Sequence, residues 1–238
     1  MVKGFFITGT DTDIGKTFVT AGVVYALHQQ NLRAVPYKSV QSGAVVQEGE
    51  LVPTDITSVL QIANIETDWR ELCSYQLKTA VSPHLAAELE DVSLSREKIL
   101  EDYRSLQKKY DCIVAEGSGG VAVPITRNYF MYDLMKDLAL PVIIVARTGV
   151  GTINHTLLTV EFLRQKKIEI AGIIFNQYTG EGYENDNIEI IEAMTNVPTF
   201  GVIHQLETDD VQEIREHFSK QLDGQKLKQL LEKENIHV

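Results

Sequence analysis

The stretch Gly9-Thr10-Asp11-Thr12-Asp13-Ile14-Gly15-Lys16-Thr17 decides how the rest of this chain is read. An apolar run, Phe5 to Thr8, precedes it, and Thr17 to Gln30 follows with Val19, Val23, Ala26 and Leu27 on one helical stripe. Strand, glycine-bearing turn, Gly-Lys-Thr and helix in that order make the context of a phosphate-binding loop. Backbone N–H groups of the loop and of the helix start would face phosphate oxygens. Lys16 would reach the β- and γ-phosphates, and the Thr17 hydroxyl would coordinate Mg2+. The loop is one residue longer than the standard pattern, so Thr10 stands at the first-glycine position. The competing reading is a tight strand-to-helix turn carrying a surface lysine. Asp11 and Asp13 lie where a polyanion would bind; either they cap the helix start or one of them meets a cationic group of a substrate.

Outward from the loop, short apolar runs alternate with amphipathic stretches. The runs are Phe5 to Thr8, Ala34 to Lys38, Cys112 to Ala115, Val142 to Ala146, Ile170 to Phe175 and Thr199 to Ile203. Several are continuous in Val, Ile and Phe, the pattern of parallel strands buried on both faces. Helical patterns fall at Thr17 to Gln30, at Arg96 to Lys109 (buried side Ile99, Leu100, Tyr103, Leu106) and at Thr152 to Gln165 (Ile153, Leu157, Val160). Alternation of this kind predicts a doubly wound, mostly parallel α/β sheet flanked by helices, one domain over residues 1–238. Gln41 to Glu71 has weak periodicity and is expected to carry loops. The glycine- and acid-rich Thr179 to Asn187 reads as a surface loop. In open α/β sheets ligands bind at the carboxyl ends of strands, so the residues just after each run are the ones to inspect.

Composition narrows the function classes. With 44% hydrophobic and 23% charged residues the balance is that of a globular protein. A formal net charge of -11 repels phosphate backbones and anionic lipid, which argues against nucleic-acid and membrane partners. Capture of a nucleotide would need a local device against that field. Cys73 and Cys112 lie far apart in no metal-ligand spacing, as expected of reduced thiols. Phe5-Phe6-Ile7 is too short for a signal-peptide core, and Leu138 to Ala146 is far below the ~18 residues of a membrane span. A cytoplasmic protein is expected.

Five more sites call for inspection, four of them near predicted strand ends. Tyr37-Lys38-Ser39-Val40-Gln41-Ser42-Gly43 offers Lys38 as a cation for a transferring phosphoryl group, against the usual fate of a lysine on the surface. Asp55, just before a helical pattern, is either an N-cap or a carboxylate ligand of Mg2+. Glu116-Gly117-Ser118-Gly119-Gly120 places an acid after a buried strand, as a metal partner would stand, or is a plain glycine turn. Gly149-Val150-Gly151-Thr152-Ile153-Asn154-His155 opens a helix and is a second potential anion site, with His155 a structural or surface residue. Asn176, ending its strand, either reads an adenine edge or forms a turn.

Together these motifs resemble the dethiobiotin synthetase family, over most of the chain and in the family's order. TGTDTDIGKT (Thr8 to Thr17) is similar to its phosphate loop, extra residue included; YKSVQSG, Ser82-Pro83-His84, EGSGGVAVP (Glu116 to Pro124) and GTINH (Gly151 to His155) follow. The resemblance implies that CO2 is joined to 7,8-diaminononanoate and a cyclic urea is closed, through a carbamate and its phosphorylated form, at the expense of ATP with Mg2+. It implies Lys38 as the catalytic lysine, and Thr17, Asp55 and Glu116 as metal ligands. Asp13, Ile14, Gly15, Lys16, Thr17, Asp55, Glu116, Gly117, Ser118, Gly119, Asn176 and Gln177 would hold the nucleotide. Thr12, Ser42, Gly151, Thr152 and Asn154 would hold the diamine, the last three from the neighbouring subunit of a homodimer. Three positions depart from the family pattern: Ser39 replaces a usual proline, Ser118 a usual alanine, and His204 a frequent proline in a loop near adenine.

Two other classes share parts of this pattern. An amidase-type ligase acting on a larger cofactor would continue into a glutamine-hydrolysing domain. A regulatory P-loop ATPase of the chromosome- or septum-positioning type would carry an additional lysine near the loop start, where Thr10 and Asp11 stand here. Membrane-binding members of that class end in a basic amphipathic helix, whereas Gln225 to Val238 mixes Lys226, Lys228 and Lys233 with Glu232 and Glu234.

Overall fold

The computed structural model describes residues 3–233. β1 (Lys3–Gly9) leads through the phosphate loop into α1 (Lys16–His28) and then β2 (Ala34–Ser42). A hairpin, β3 (Val45–Gln47) and β4 (Glu50–Val52), precedes α2 (Thr54–Ala63), β5 (Cys73–Leu77), α3 (Pro83–Leu89) and α4 (Arg96–Gln107). β6 (Cys112–Gly120) runs to a second hairpin, β7 (Pro124–Thr126) and β8 (Tyr129–Phe130), and to α5 (Met131–Leu138). The chain ends β9 (Val142–Arg147), α6 (Thr152–Gln165), β10 (Ile170–Tyr178), α7 (Gly182–Thr195), β11 (Thr199–His204), α8 (Val211–Gln221) and α9 (Gly224–Lys233).

Seven strands form one parallel sheet in the order β11-β10-β9-β1-β6-β2-β5. Successive side chains of a strand point to opposite faces, and both faces here are covered. Phe6, Ile113, Ala115, Ile144 and Phe175 belong to one apolar cluster, with Tyr103 of α4, Leu134 of α5 and Leu163 of α6. Phe5, Ile7, Val114, Ile143 and Val145 belong to the other, with Val23 and Leu27 of α1 and Phe218 of α8. Two-sided burial is why the runs read as continuous rather than alternating. β1 lies centrally. The chain leaves it for β2 and β5, returns to β6, then crosses to β9 on the other side. That reversal opens a crevice at the carboxyl ends, where the phosphate loop stands.

The six predicted runs are all strands of this sheet, each of them longer than the run itself. Three expectations are corrected. Thr179 to Asn187 is not a loop throughout, since α7 begins at Gly182, where the Glu184 carboxylate reaches back to the Glu181 N–H at 3.1 Å. Gln41 to Glu71 holds a hairpin and α2 besides its loops. The buried face of α6 carries Thr152, Thr156, Thr159, Val160 and Leu163, so Ile153 and Leu157 are only half-buried. Among the described residues no helix is long and apolar enough to cross a membrane. The C-terminal stretch read from Gln225 to Val238 lies outside the described residues from Glu234 onward.

Candidate active site

The phosphate loop joins β1 to α1 through Gly15, whose φ of 85° a side chain would strain. A Cβ there would also stand 2.2 Å from Asn176 Nδ2. Gly15 is the N-cap of α1 and the first turn carries no acid, so neither Asp11 nor Asp13 caps this helix. Asp11 Oδ1 accepts from the Thr12 N–H at 2.7 Å. Asp13 takes a left-handed φ of 55°, and its carbonyl accepts from Arg147 Nη2 at 3.0 Å. Lys16 Nζ donates to the Asp11 carbonyl at 2.9 Å across the loop. Burial pushes the Lys16 pKa below its ordinary value and nearby Lys38 adds to this, against the opposing pull of Glu116.

β2 and β6 lie side by side with Lys38 paired to Glu116 in register. Both are 4% exposed. Both lie within strands rather than after them, because β2 and β6 run on to Ser42 and Gly120. Lys38 Nζ donates to Glu116 Oε1 at 2.6 Å and to Asp55 Oδ2. Burial alone would lower the Lys38 pKa, but Glu116 and Asp55 together outweigh it and hold the ammonium above its ordinary range. Thr17 Oγ1 donates to the same Glu116 Oε1 at 3.0 Å. Asp55 is the second residue of α2, whose N-cap is Pro53, so its carboxylate faces the site instead of capping.

This cluster lines a cavity of about 290 Å3 with Thr12, Asp13, Gly15, Lys16 and Thr17 on one side and Ser42, Gly117, Ser118 and Gly119 on the other. Ser118 Oγ donates to the Val40 carbonyl at 2.7 Å, tying β6 to β2. A second cavity of about 450 Å3 shares Thr12, Asp13, Ser42, Ser118 and Gly119 with the first and extends to Val81, Pro83 and Val123. A third, of about 580 Å3, lies past Gly15 between Phe18, Arg147, Asn176, Gln177, Tyr183 and His204. Asn176 is buried, and its Nδ2 donates to the Ile14 carbonyl at 2.9 Å. Its Oδ1 is the amide's remaining acceptor. The Asn176 amide therefore ties β10 to the phosphate loop, and the turn-forming alternative does not describe it.

The other predicted residues lie apart. Gly151 caps α6 with φ 92°. Thr152 is buried, its hydroxyl turned to the Arg147 carbonyl and its N–H to Gly149 O at 3.2 Å. Asn154 and His155 are exposed. None of these four lines the cavities around Lys38.

A family model described as AAA domain matches residues 3–212. Curated relatives include the ATP-dependent dethiobiotin synthetase BioD of Clostridium kluyveri, 41% identical over 92% of this chain and 94% of the relative. That of Anoxybacillus flavithermus is 43% identical over 90% and 96%. The chain belongs to the dethiobiotin synthetase family. Among solved structures it is similar to the MinC:MinD cell division complex of Aquifex aeolicus, with 14% identity, a TM-score of 0.57 and 96% of each chain covered. It is also similar to a ParA family ATPase from Chlorobium tepidum, at 13%, 0.56, and 95% and 93%. At those identities the likeness is one of fold alone. A dethiobiotin synthetase chain thus shares the scaffold of MinD and of a ParA family ATPase, while its sequence relatives are synthetases.

Within this dethiobiotin synthetase chain two contributors escaped the sequence reading. Arg147 ends β9 and reaches the phosphate loop; a cation closing a buried parallel strand was the available signal. Glu184 accepts from Thr148 Oγ1, from Thr179 N–H at 3.0 Å and Oγ1 at 2.8 Å, and from Glu181 N–H. It helps line the Asn176 cavity, and no local motif marks it because its partners come from two different loops.

Proposed function

We propose that this chain carboxylates 7,8-diaminononanoate with CO2 and closes the cyclic urea of dethiobiotin, consuming ATP and releasing ADP and phosphate. The observation that carries the reading is the shared wall of two cavities. The Lys38 cavity beside the phosphate loop meets the second one at Thr12, Asp13, Ser42, Ser118 and Gly119. A phosphoryl donor held by the loop and an acceptor held across that wall would meet at Lys38.

The chemistry follows from leaving groups. One amine attacks CO2 and loses a proton, giving a carbamate. A carbamate oxygen is a poor leaving group until it takes the γ-phosphoryl group, as ADP departs. The second amine then attacks the carbonyl carbon, loses a proton, and phosphate leaves as the ring closes. Phosphoryl transfer depends on positioning and charge stabilisation. Lys16 would hold the β- and γ-phosphates. Lys38, fixed between two carboxylates, would face the carbamate oxygens and the phosphoryl group in flight. Thr12 and Ser42, on the shared wall, would contact the diamine, and the loop from Asp13 to Thr17 with Gly117, Ser118 and Gly119 would contact the nucleotide. In the third cavity the Asn176 Oδ1 acceptor would meet a base amino group, beside Gln177.

Mg2+ fits the donor set, since Asp55 and Glu116 turn carboxylate oxygens to one ammonium, the Thr17 hydroxyl meets the same Glu116 oxygen, and Mg2+ takes hard oxygen ligands with phosphate and water in the rest of its shell. When bound there it would neutralise charge on the β- and γ-phosphates. A homodimer would bring the helix start from Gly151 to Asn154 to the substrate carboxylate of its neighbour, with Asn154 as its exposed side chain and Thr152 holding the turn through the Arg147 carbonyl. The exposed Leu158 of α6 and Ile190 and Met194 of α7 support an interface there. Two buried thiols, Cys73 and Cys112, neither in a disulfide, fit a cytoplasmic enzyme.

The test is ADP release measured with 7,8-diaminononanoate and bicarbonate, with the product mass checked. ADP release that requires both, with a product of dethiobiotin mass, supports the reading. ADP release indifferent to the diamine would favour the regulatory ATPase instead.

A further inference from the structure

α2 starts in an unusual way. Its N-cap is Pro53, which has no side-chain acceptor and makes no capping bond, although the first N–H groups of a helix need partners from outside it. The partner comes from β2, earlier in the chain. Gln41 of β2 is 3% exposed. Its Oε1 accepts from the Asp55 N–H at 3.1 Å, and its Nε2 donates to Thr54 Oγ1 at 2.9 Å. One amide thus grips the first two residues of α2, and the second of them, Asp55, gives its carboxylate to Lys38. Lys38 stands three positions earlier on the same strand, so a single rigid segment carries the cation and the clamp that holds its counter-charge.

We infer that Gln41 is a positioning residue: its side-chain amide replaces the missing cap of α2 and aims the Asp55 carboxylate at the Lys38 end of the cavity. The inference rests on the proposed role of Asp55 toward Mg2+. Groups that orient a ligand act through it, and their loss costs about 10–100-fold in metal affinity or activity. Residue 41 must supply an acceptor for the Asp55 N–H and a second polar atom for the Thr54 hydroxyl, a need that methionine of similar shape does not meet. Glutamate, ionised or protonated, still serves both bonds, because the Thr54 hydroxyl can donate or accept.

The experiment compares ATP dissociation constants by calorimetry with MgCl2 and with EDTA; their ratio, the EDTA constant divided by the MgCl2 constant, reports metal coupling without turnover. Gln41→Met is expected to lower the ratio about tenfold while leaving the EDTA constant unchanged. Gln41→Glu should keep it within about threefold, well inside that loss. In an Asp55→Asn background Gln41→Met should lower the ratio no further, since coupled residues are not additive. Thr54→Val, a milder change, should lower it by a smaller factor and carries the test if Gln41→Met is insoluble. An unchanged ratio in Gln41→Met, beside a lowered one in Asp55→Asn, would overturn the inference and spare the site reading. Equal weakening of both constants would overturn it too, as a structural effect only. An unchanged ratio in Asp55→Asn itself would remove the metal role of Asp55 and this inference with it.

Discussion

Lys38 and Glu116 face each other across one rung of the parallel sheet, paired in register between β2 and β6 with Nζ 2.6 Å from Oε1. Neighbouring strands place paired side chains on the same face, so strand register alone sets a buried ammonium against a buried carboxylate at the carboxyl end. Burial strengthens the pair only while both members are present; losing one leaves an uncompensated charge, at about 3–5 kcal/mol. Asp55 adds a second carboxylate to the same ammonium. With Lys38 gone, two acids would crowd an acidic phosphate loop.

Lys38→Gln is therefore expected to reduce turnover by at least about 10²–10³-fold, the scale for losing one preorganised charge-stabilising group, while ATP still binds at the loop through Lys16. The melting temperature without metal should fall, and MgCl2 should restore part of it, because a cation replaces the lost ammonium. Steady-state ADP release, calorimetry and thermal melts check the three parts. Near-normal turnover would remove Lys38 from the catalytic role.

The Asn176 amide has one committed end. Nδ2 is spent on the Ile14 carbonyl, leaving an acceptor for the base, which suits the amino group of adenine and opposes the keto oxygen of guanine. ATP should outcompete GTP in direct binding, and Asn176→Ala should shrink that preference by about 5–10-fold, the worth of one hydrogen bond. A preference that survives the substitution would place base reading elsewhere in the cavity, at His204 or Gln177.

Glu184 gives the fold an acid-sensitive point. Burial alone would raise its pKa, but the hydroxyl and N–H donors of Thr148, Thr179 and Glu181 outweigh it and hold the carboxyl below its ordinary 4.5. A carboxyl depressed in the folded state stabilises the fold above its unfolded pKa and loses that contribution as pH falls through the folded one. Glu184→Gln should thus melt lower than the parent at pH 7, by the loss of a charged hydrogen bond worth about 1.5–3 kcal/mol. The two melting curves should converge below pH 4.5. Parallel curves from pH 7 to pH 3 would deny Glu184 this role.

Leu158 is 63% and Met194 60% exposed on α6 and α7, which pack together. Scattered exposed apolar residues are ordinary, but two packed helices that both offer them, one of them the helix that Gly151 opens, fit a covered face. Leu158→Glu should shift sedimentation from dimer to monomer and raise KM for the diamine more than KM for ATP. A monomeric parent protein would dismiss the shared site.

The helix start at Gly151 illustrates what a motif cannot say. Its glycine and small polar residues read as an anion site, but which of its donors are already spent is decided by the fold: the Thr152 hydroxyl goes to the carbonyl of Arg147, the last residue of β9. Of the two readings open for Asp55, the cap fails because it is the second residue of α2, whose start Gln41, 14 positions earlier, serves instead. For Asp11 and Asp13 the capping reading also fails, since Gly15 holds that place.

The sequence by itself determined the parallel strands and the phosphate loop, because hydrophobic period and loop chemistry are local properties of consecutive residues. Only the tertiary structure decided which acid meets Lys38, what aims Asp55 and where Glu184 finds its donors. Those pairings join residues from different elements, and strand register, helix docking and burial, none of them local, choose among the partners.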